Sequence, residues 1–237
     1  IFLGIFIPGL AFLDLSGANR GILLGAAVAT AVGMADDFRG LPWALKLAGQ
    51  GLAAGIAIHF GVYIDHFSFP ILGVHELPYW FSVVVTVVWI VGMMNVINLL
   101  DGMDGLAAGI SAIAGATFAI LALELGRPEA AVLSAIVAGA CLGFLRHNFY
   151  PARIFMGDSG SHLLGFVLAT VAIQGSLKTA ATVALIFPLI VLAVPILDTS
   201  FVIAKRLKYG RPLTEPTPWH LYHRFRNIGF TQRRAAI

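Results

Sequence analysis

The sequence predicts an all-α polytopic membrane protein, and three observations support this fold class. Hydrophobic residues make up 59% of the 237 residues, charged residues only 11%, and the mean hydropathy is +0.89. Soluble domains contain about 25% charged residues. The apolar residues fall in long runs, and the 26 glycines are typical of helices that pack closely in lipid. The single cysteine, Cys141, excludes an intrachain disulfide.

The apolar runs predict about eight membrane spans, because one span needs about 20 mostly apolar residues. In chain order we place them at residues 1–13 (a partial span), 21–34, 41–64, 79–100, 106–125, 130–145, 162–174 and 180–204. Pro42 stands in the first turn of the third span, where helices tolerate proline. Phe67, Phe69 and Ile71 alternate in a loop at 65–78, which is compatible with a short extracytoplasmic β-hairpin.

We expect one integral membrane domain over residues 1–237, truncated at both ends, with residues 205–237 forming a basic cytoplasmic tail. Alternating the sides of the spans places twelve of the fifteen Lys and Arg residues on one side, which the positive-inside rule makes cytoplasmic. The twelve are Arg39, Lys46, Arg146, Arg153, Lys205, Arg206, Lys208, Arg211, Arg224, Arg226, Arg233 and Arg234.

The stretch at 95–109, NVINLLDGMDGLAAG, carries polar residues where a membrane helix usually has none. Asn95, Asn98 and Asp101 recur every three residues, so on a helix they drift by only about 60° per step and share one face. Polar groups at membrane depth usually face a cavity with a partner. This stretch therefore predicts a functional site.

Four polar clusters fall on the predicted cytoplasmic side. They are Asp36, Asp37 and Lys46; Asn95, Asn98, Asp101 and Asp104; Asn148, Arg153, Phe155 and Asp158 in NFYPARIFMGDSGS; and His220 with His223 in the tail. Carboxylates that converge with amide oxygens suit Mg²⁺, which prefers oxygen ligands and keeps waters and substrate phosphates in its shell. Basic residues beside such an ion suit a diphosphate.

Each cluster also has a simpler interpretation. The Asp36–Asp37 pair is compatible with a solvated loop, Asn95 and Asn98 with hydrogen bonds between helices, and GDSGS with a helix N-cap. Asp101 and Asp104 are compatible with interfacial charges, and the two histidines with a surface beside lipid headgroups. Asp198 either supports the site or pairs with a nearby basic residue of the tail.

The motifs GMADDFRGLPWALKLAGQ, NVINLLDGMDGLAAG, NFYPARIFMGDSGS and PWHLYHRF occur together over residues of about 33 to 234. In this combination and order the chain resembles the polyprenyl-phosphate N-acetylhexosamine-1-phosphate transferases of glycosyltransferase family 4. It looks closer to the undecaprenyl-phosphate GlcNAc-1-phosphate (WecA/TagO-like) branch than to the related phospho-MurNAc-pentapeptide (MraY) branch.

The resemblance implies a multi-pass enzyme of the bacterial inner membrane, with about 10–11 spans at full length and its active site facing the cytoplasm. Such enzymes transfer a sugar 1-phosphate from a UDP-N-acetylhexosamine, here most simply UDP-GlcNAc, to a polyprenyl phosphate, and they release UMP. The implied partners are these two substrates and the bilayer, with a homodimer as a further expectation and no nucleic acid.

The resemblance also implies a role for each candidate residue. Asp158 would be the principal ligand of Mg²⁺, or alternatively Mn²⁺, with Asp37, Asn98 and Asp101 close by, and Asp36 would be a base or a nucleophile. Lys46 would hold the diphosphate, and Arg153 and Asn98 would also bind substrate. Phe155 would stack on uracil, Asn148 and Asp104 would contact the nucleoside, and His220 and His223 would orient phosphate or sugar.

The tail departs from the family pattern DxxHxHH. Thr217 stands at the Asp position and Tyr222 at the middle His, which bears on sugar recognition more than on the chemistry. Intramembrane acids also mark ion pathways, so an ion-coupled transporter is the alternative from another class. A prenyl phosphate is already an anion near neutral pH, so we favour a single in-line displacement over a covalent aspartyl intermediate.

Overall fold

The computed structural model describes residues 1–69, 73–177, 189–210, 219 and 221–231. Its helices are α1 (Phe2–Phe12), α2 (Gly17–Arg39), α3 (Trp43–His59), α4 (Tyr79–Leu100), α5 (Leu106–Glu124), α6 (Pro128–Asn148), α7 (Gly157–Ala172), α8 (Ala193–Lys208) and α9 (Leu221–Asn227). A π-helical turn, Ile173–Leu177, directly follows α7.

Two short strands join α3 to α4. β1 (His66–Phe69) pairs antiparallel with β2 (Gly73–Glu76), with His66 opposite Glu76 and Phe69 opposite Gly73. The residues between the strands lie outside the described part of the chain. The side of the membrane that this pair faces stays a prediction.

The expectation of about eight membrane spans is corrected by the helix lengths. Within the described residues, four helices are long and apolar enough to cross a membrane: α2, α4, α5 and α6. α3 is shorter because it begins after Pro42 and ends before the strands, and it has 17 residues. α1 has 11 residues and α7 has 16. The predicted span at 180–204 lies partly outside the described residues, and α8 covers its end.

α7 is the central helix of the described part of the molecule, because its last twelve residues, from Ser161 to Ala172, are all buried. Glycines allow its neighbours to approach. A Cβ at Gly165 would lie 2.5 Å from Cα of Met94 on α4, and a Cβ at Gly33 on α2 would lie 2.5 Å from Cα of Ser159. The apolar character of α7 therefore serves contact with other helices, and large apolar side chains on the outer helices, such as Ile113 and Leu142, are exposed.

Candidate active site

Four helix ends meet at one end of the bundle, and each brings a polar residue. Asp36 and Asp37 lie in the last turn of α2, and Lys46 lies in the first turn of α3. Asn98 lies in the last turn of α4, and Asp158 lies in the first turn of α7. The alternative of a loop for Asp36 and Asp37 is wrong, because α2 continues through Arg39 and ends at Gly40 in a left-handed conformation (φ 61°).

Lys46 joins two of these carboxylates. Its Nζ lies 2.5 Å from Oδ2 of Asp36 and 2.7 Å from Oδ2 of Asp158. The other oxygen of Asp36 accepts a hydrogen bond from the backbone N–H of Leu41 at 2.7 Å, which ties the α2–α3 turn to the same carboxylate. The ammonium is therefore held at the meeting point of α2, α3 and α7.

Asp37 caps α7 from another helix. Its Oδ1 accepts a hydrogen bond from the N–H of Asp158 at 2.8 Å, and its Oδ2 accepts one from Ser159 at 3.1 Å. The first N–H groups of a helix have no acceptor within that helix, and the helix dipole favours negative charge beside them. Gly157 takes a positive φ of 65° beside the carboxylate, and a Cβ there would lie 2.8 Å from Oδ2 of Asp37. The GDSGS segment therefore does begin a helix, and an acid from α2 caps it.

Asn98 completes the set around Asp158. Its Nδ2 donates to Oδ1 of Asp158 at 2.8 Å and to Oγ of Ser161 at 3.0 Å. Both oxygens of Asp158 therefore have partners, one on α3 and one on α4. Asn95, which shares a face with Asn98, lies deeper and bonds to α3 instead of reaching Asp158.

Asp101 follows α4 directly and faces the same acidic group. Burial raises the pKa of Asp101 to about 7, and the negative charges of Asp158 and Asp37 add to this effect. Within the described residues, its carboxylate forms no hydrogen bond or ion pair. A nearby cation would remove this repulsion.

The donor chemistry fits Mg²⁺, although the protein alone does not enclose an ion. Among the described residues, no three His, Cys, Asp or Glu side chains are placed to hold a metal ion together. The oxygens of Asp101 and Asp158 suit an ion that takes one or two carboxylates and completes its shell with water and phosphate oxygens. The metal assignment to Asp158, Asp37, Asn98 and Asp101 stays a prediction.

Asp104 and Asn148 fix the loop between α6 and α7. Oδ2 of Asp104 accepts from the N–H of Ala152 at 3.0 Å. Oδ1 of the buried Asn148 accepts from Gly105 at 3.0 Å, and its Nδ2 donates to the carbonyl of Ile154 at 2.9 Å. Their predicted contacts with the nucleoside stay predictions, and in this structure both side chains bond to backbone.

The loop presents Phe155 and Arg153 to the outside. The Phe155 side chain is 75% exposed, and Arg153 is also exposed. An exposed aromatic ring at the rim of a polar site is available to stack on a flat ligand such as a nucleobase. The structure therefore leaves both residues free to serve their predicted roles.

The tail histidines are not placed by this structure. His220 lies outside the described residues, and for His223 only its position in α9 is described. Asp198, which is buried on α8, accepts a hydrogen bond from the N–H of Leu221 at 2.6 Å. The carboxylate of Asp198 thus anchors the start of the helix that carries His223.

Sequence reasoning missed two residues next to this group. Gln50 follows Lys46 by four residues and His162 follows Asp158 by four, so each lies one turn deeper on the same helix face. Both are completely buried. The available signal was a polar residue on two predicted helices at the same offset, four positions after a predicted site residue.

Known proteins share these motifs. Residues 19–176 match the family model described as Glycosyl transferase family 4. A probable undecaprenyl-phosphate N-acetylglucosaminyl 1-phosphate transferase of Bacillus subtilis (strain 168) is 36% identical over 216 residues, which cover 91% of this chain and 60% of the relative. A decaprenyl-phosphate N-acetylglucosaminephosphotransferase of Mycobacterium leprae (strain TN) is 36% identical over 260 residues, covering 100% of this chain and 65% of the relative.

A phospho-N-acetylmuramoyl-pentapeptide-transferase of Desulforudis audaxviator (strain MP104C) is 35% identical over 189 residues, which cover 78% of this chain and 50% of the relative. The chain thus spans between half and two thirds of the length of these three relatives. The family match covers more than half of the chain and includes Asp36, Asp37, Lys46, Asn98 and Asp158. The expected family is therefore confirmed, and the chain belongs to glycosyl transferase family 4.

Proposed function

We propose that the protein transfers N-acetylglucosamine 1-phosphate from UDP-GlcNAc to undecaprenyl phosphate, or a similar polyprenyl phosphate, and releases UMP. The observation that carries the proposal is the convergence of Asp36, Lys46, Asn98 and Asp158 at one end of the helices. A soluble nucleotide and the phosphate head of a membrane lipid can meet only at such an end. The names of the Bacillus and Mycobacterium relatives describe this type of transfer.

In the proposed reaction an oxygen of the prenyl phosphate attacks the phosphorus that bears the sugar. A new P–O bond forms, the bond to the bridging oxygen of UDP breaks, and UMP leaves with that electron pair. Mg²⁺ bound near Asp101 and Asp158 would neutralise the diphosphate charge. Lys46 holds a diphosphate oxygen, and Asp36 keeps Lys46 protonated and aimed at the site.

Positioning and charge neutralisation account for this chemistry without a covalent step. The phosphate of the lipid is a competent nucleophile, and Asp36 is committed to Lys46 and Leu41 in the structure. A phosphoryl- or glycosylphosphoryl-aspartate trapped during turnover and located by mass spectrometry would overturn the single-displacement mechanism.

The location and partners are part of the same proposal. The charge distribution favours a site at the cytoplasmic face, and the bacterial relatives favour the inner membrane. The membrane domain would extend over residues 1–237, with 205–237 as its basic cytoplasmic part. A homodimer is tested by the mass of the purified full-length protein in detergent.

The test is UMP release by the full-length protein from a panel of UDP-sugars, with and without Mg²⁺ and a short polyprenyl phosphate. We expect release from UDP-GlcNAc that needs both additions and is lost in Asp158→Asn. Turnover of UDP-MurNAc-pentapeptide instead would favour the second candidate, which the Desulforudis relative supports. An absence of UMP release with every donor and lipid, together with an identical result for Asp158→Asn, would contradict a transferase and direct attention to transport.

A further inference from the structure

A second set of three polar residues repeats the first, one helical turn deeper. We call Lys46, Asp158 and Asn98 the upper tier, and Gln50, His162 and Asn95 the lower tier. Each of α3, α7 and α4 contributes one residue to each tier, offset by four residues on α3 and α7 and by three on α4. These offsets correspond to about 4.5–6 Å along a helix. The two tiers therefore join the same three helices at two depths.

The hydrogen bonds of the lower tier have a fixed direction. Nδ2 of Asn95 donates to the carbonyl of Val91 at 2.8 Å, and a carbonyl can only accept, so this atom must be the amide nitrogen. The same nitrogen donates to Oε1 of Gln50 at 2.7 Å. Nε2 of Gln50 therefore faces Nε2 of His162, at 3.1 Å, as a donor. His162 accepts this bond through Nε2, which makes it a neutral imidazole with its proton on Nδ1.

Gln50 and His162 are buried and cannot exchange their mutual bond for bonds to water. Gln50 and His162 are both 0% exposed, and Asn95 is half-buried. Nδ1 of His162 has no hydrogen-bond partner among the described residues. When a buried amide or imidazole loses its hydrogen-bond partner, the folded state is destabilised by the full desolvation cost of that group.

The buried face of α3 below Gln50 consists mainly of small side chains. Ala53, Ala54 and Ala57 are all buried. Such small side chains permit close approach but resist sliding and rotation weakly, whereas directional hydrogen bonds between buried groups resist both.

We propose that Gln50 and His162 are positioning residues. The bond between them, together with the bond from Asn95 to Gln50, sets the register of α3 and α7 and so holds Lys46 between Asp36 and Asp158. This inference rests on the proposed function for its catalytic consequence, but its structural part does not. A shift of about 1 Å in a group that orients a phosphate can lower a rate by about a hundredfold. The lower tier would thus control kcat without touching substrate.

The kinetic test uses Gln50→Leu, His162→Leu and the double variant in the full-length protein. We expect kcat for UMP release to fall about ten- to hundredfold, with KM for the UDP-sugar changed less than about twofold. The double variant should be no slower than the slower single variant, because both remove the same connection. A merely structural role would lower the melting temperature and leave kcat per folded molecule unchanged.

Thr170→Val is the matched control. Thr170 is also buried on α7, but its hydroxyl donates within its own helix, to the carbonyls of Phe166 and Val167. Its replacement should leave kcat and KM unchanged. If Gln50→Leu does not fold, Asn95→Ala breaks the half-buried end of the same chain of bonds and replaces it in the comparison.

A second measurement does not depend on activity. The rate at which Lys46 reacts with an N-hydroxysuccinimide acetate is followed by peptide mass spectrometry, with Asp158→Asn as the positive control for a released amine. We expect Lys46 to react several-fold faster in Gln50→Leu than in the wild type, and at the wild-type rate in Thr170→Val.

The two measurements separate the two proposals. A wild-type protein that transfers no sugar phosphate refutes the proposed function, while the labelling rates still decide the inference. Wild-type labelling of Lys46 in folded Gln50→Leu and His162→Leu, or a kcat within about twofold of wild type in both, would overturn the positioning role.

Discussion

Asp101→Asn should stabilise the metal-free protein, and the gain should grow with pH. In the structure the pKa of this carboxyl rises from 3.8 to about 7 through burial and through the charges of Asp158 and Asp37. Below pH 3.8 the Asp101 carboxyl is protonated in both the folded and the unfolded chain. Between the two values the unfolded chain loses its proton first, so the folding stability falls as pH rises and the penalty is complete above about pH 7.

The size of this effect follows from the pKa difference. About three units correspond to about 4 kcal/mol at 1.36 kcal/mol per unit. Partial exposure of the group and screening by water reduce this to about 2 kcal/mol near pH 8 and about half of that near pH 5.5. For a chain of this length, 2 kcal/mol raises the melting temperature by about 4–8 °C. The amide has the same shape as the acid and carries no charge.

The assay is thermal unfolding of the full-length protein in detergent with EDTA, at two pH values, for wild type, Asp101→Asn and Asp104→Asn. Asp104 is the matched control because its carboxylate bonds to the backbone of Ala152. Added Mg²⁺ should raise the melting temperature of the wild type and reverse the advantage of Asp101→Asn. An Asp101→Asn variant without a gain at pH 8, or with the same gain at both pH values, would refute the reasoning.

Three further predictions concern helix contacts and the rim of the site. Gly33→Ala should lower the free energy of unfolding by about 1–3 kcal/mol and reduce transfer, because its Cβ would overlap the backbone of α7. Gly51→Ala is the control: its Cβ would meet nothing within 4 Å, so in the same melting assay it should be neutral or stabilising by up to about 1 kcal/mol. Asp198→Ala should remove the acceptor for the N–H of Leu221, so hydrogen exchange at the start of α9 should become faster, and an unchanged rate would contradict the anchoring role. Phe155→Leu should raise KM for the UDP-sugar about tenfold, because stacking on a base contributes about 1–3 kcal/mol, whereas Phe155→Tyr should stay near the wild-type value. A donor titration measures these KM values, and equal values for the two variants would contradict the stacking role of Phe155.

The candidate site could be predicted from sequence because its residues stand at the ends of apolar runs. Assigning successive spans to alternate sides of the membrane was enough to place Asp36, Lys46, Asn98 and Asp158 on the same side. In the structure, hydrogen bonds and ion pairs join these four residues. What could not be predicted was which acid does what. The commitment of Asp37 to the N–H groups of α7 depends on the close approach of two helices, and no pattern along the chain encodes it.

Two effects led to too many predicted spans. The apolar run at 41–64 contains a helix of only 17 residues, and hydropathy does not separate lipid from protein interior. α7 is apolar and entirely buried over its last twelve residues, so other helices provide its surroundings. Gln50 and His162 were missed for a related reason. A buried polar residue on one helix gains meaning only when a second helix supplies its partner, and that partner is 112 residues away.

The cap that α2 provides for α7 has a consequence for synthesis. The bonded residues Asp37 and Asp158 are 121 positions apart, so α2 leaves the ribosome well before the helix that it caps. At about 5–20 residues per second, the wait is about 6–24 s. During that interval the two N–H groups that bind the Asp37 carboxylate have not yet been synthesised. A nascent chain stalled before residue 157 would contain Asp36, Lys46 and Asn98 but would lack Asp158, which joins them in the folded protein.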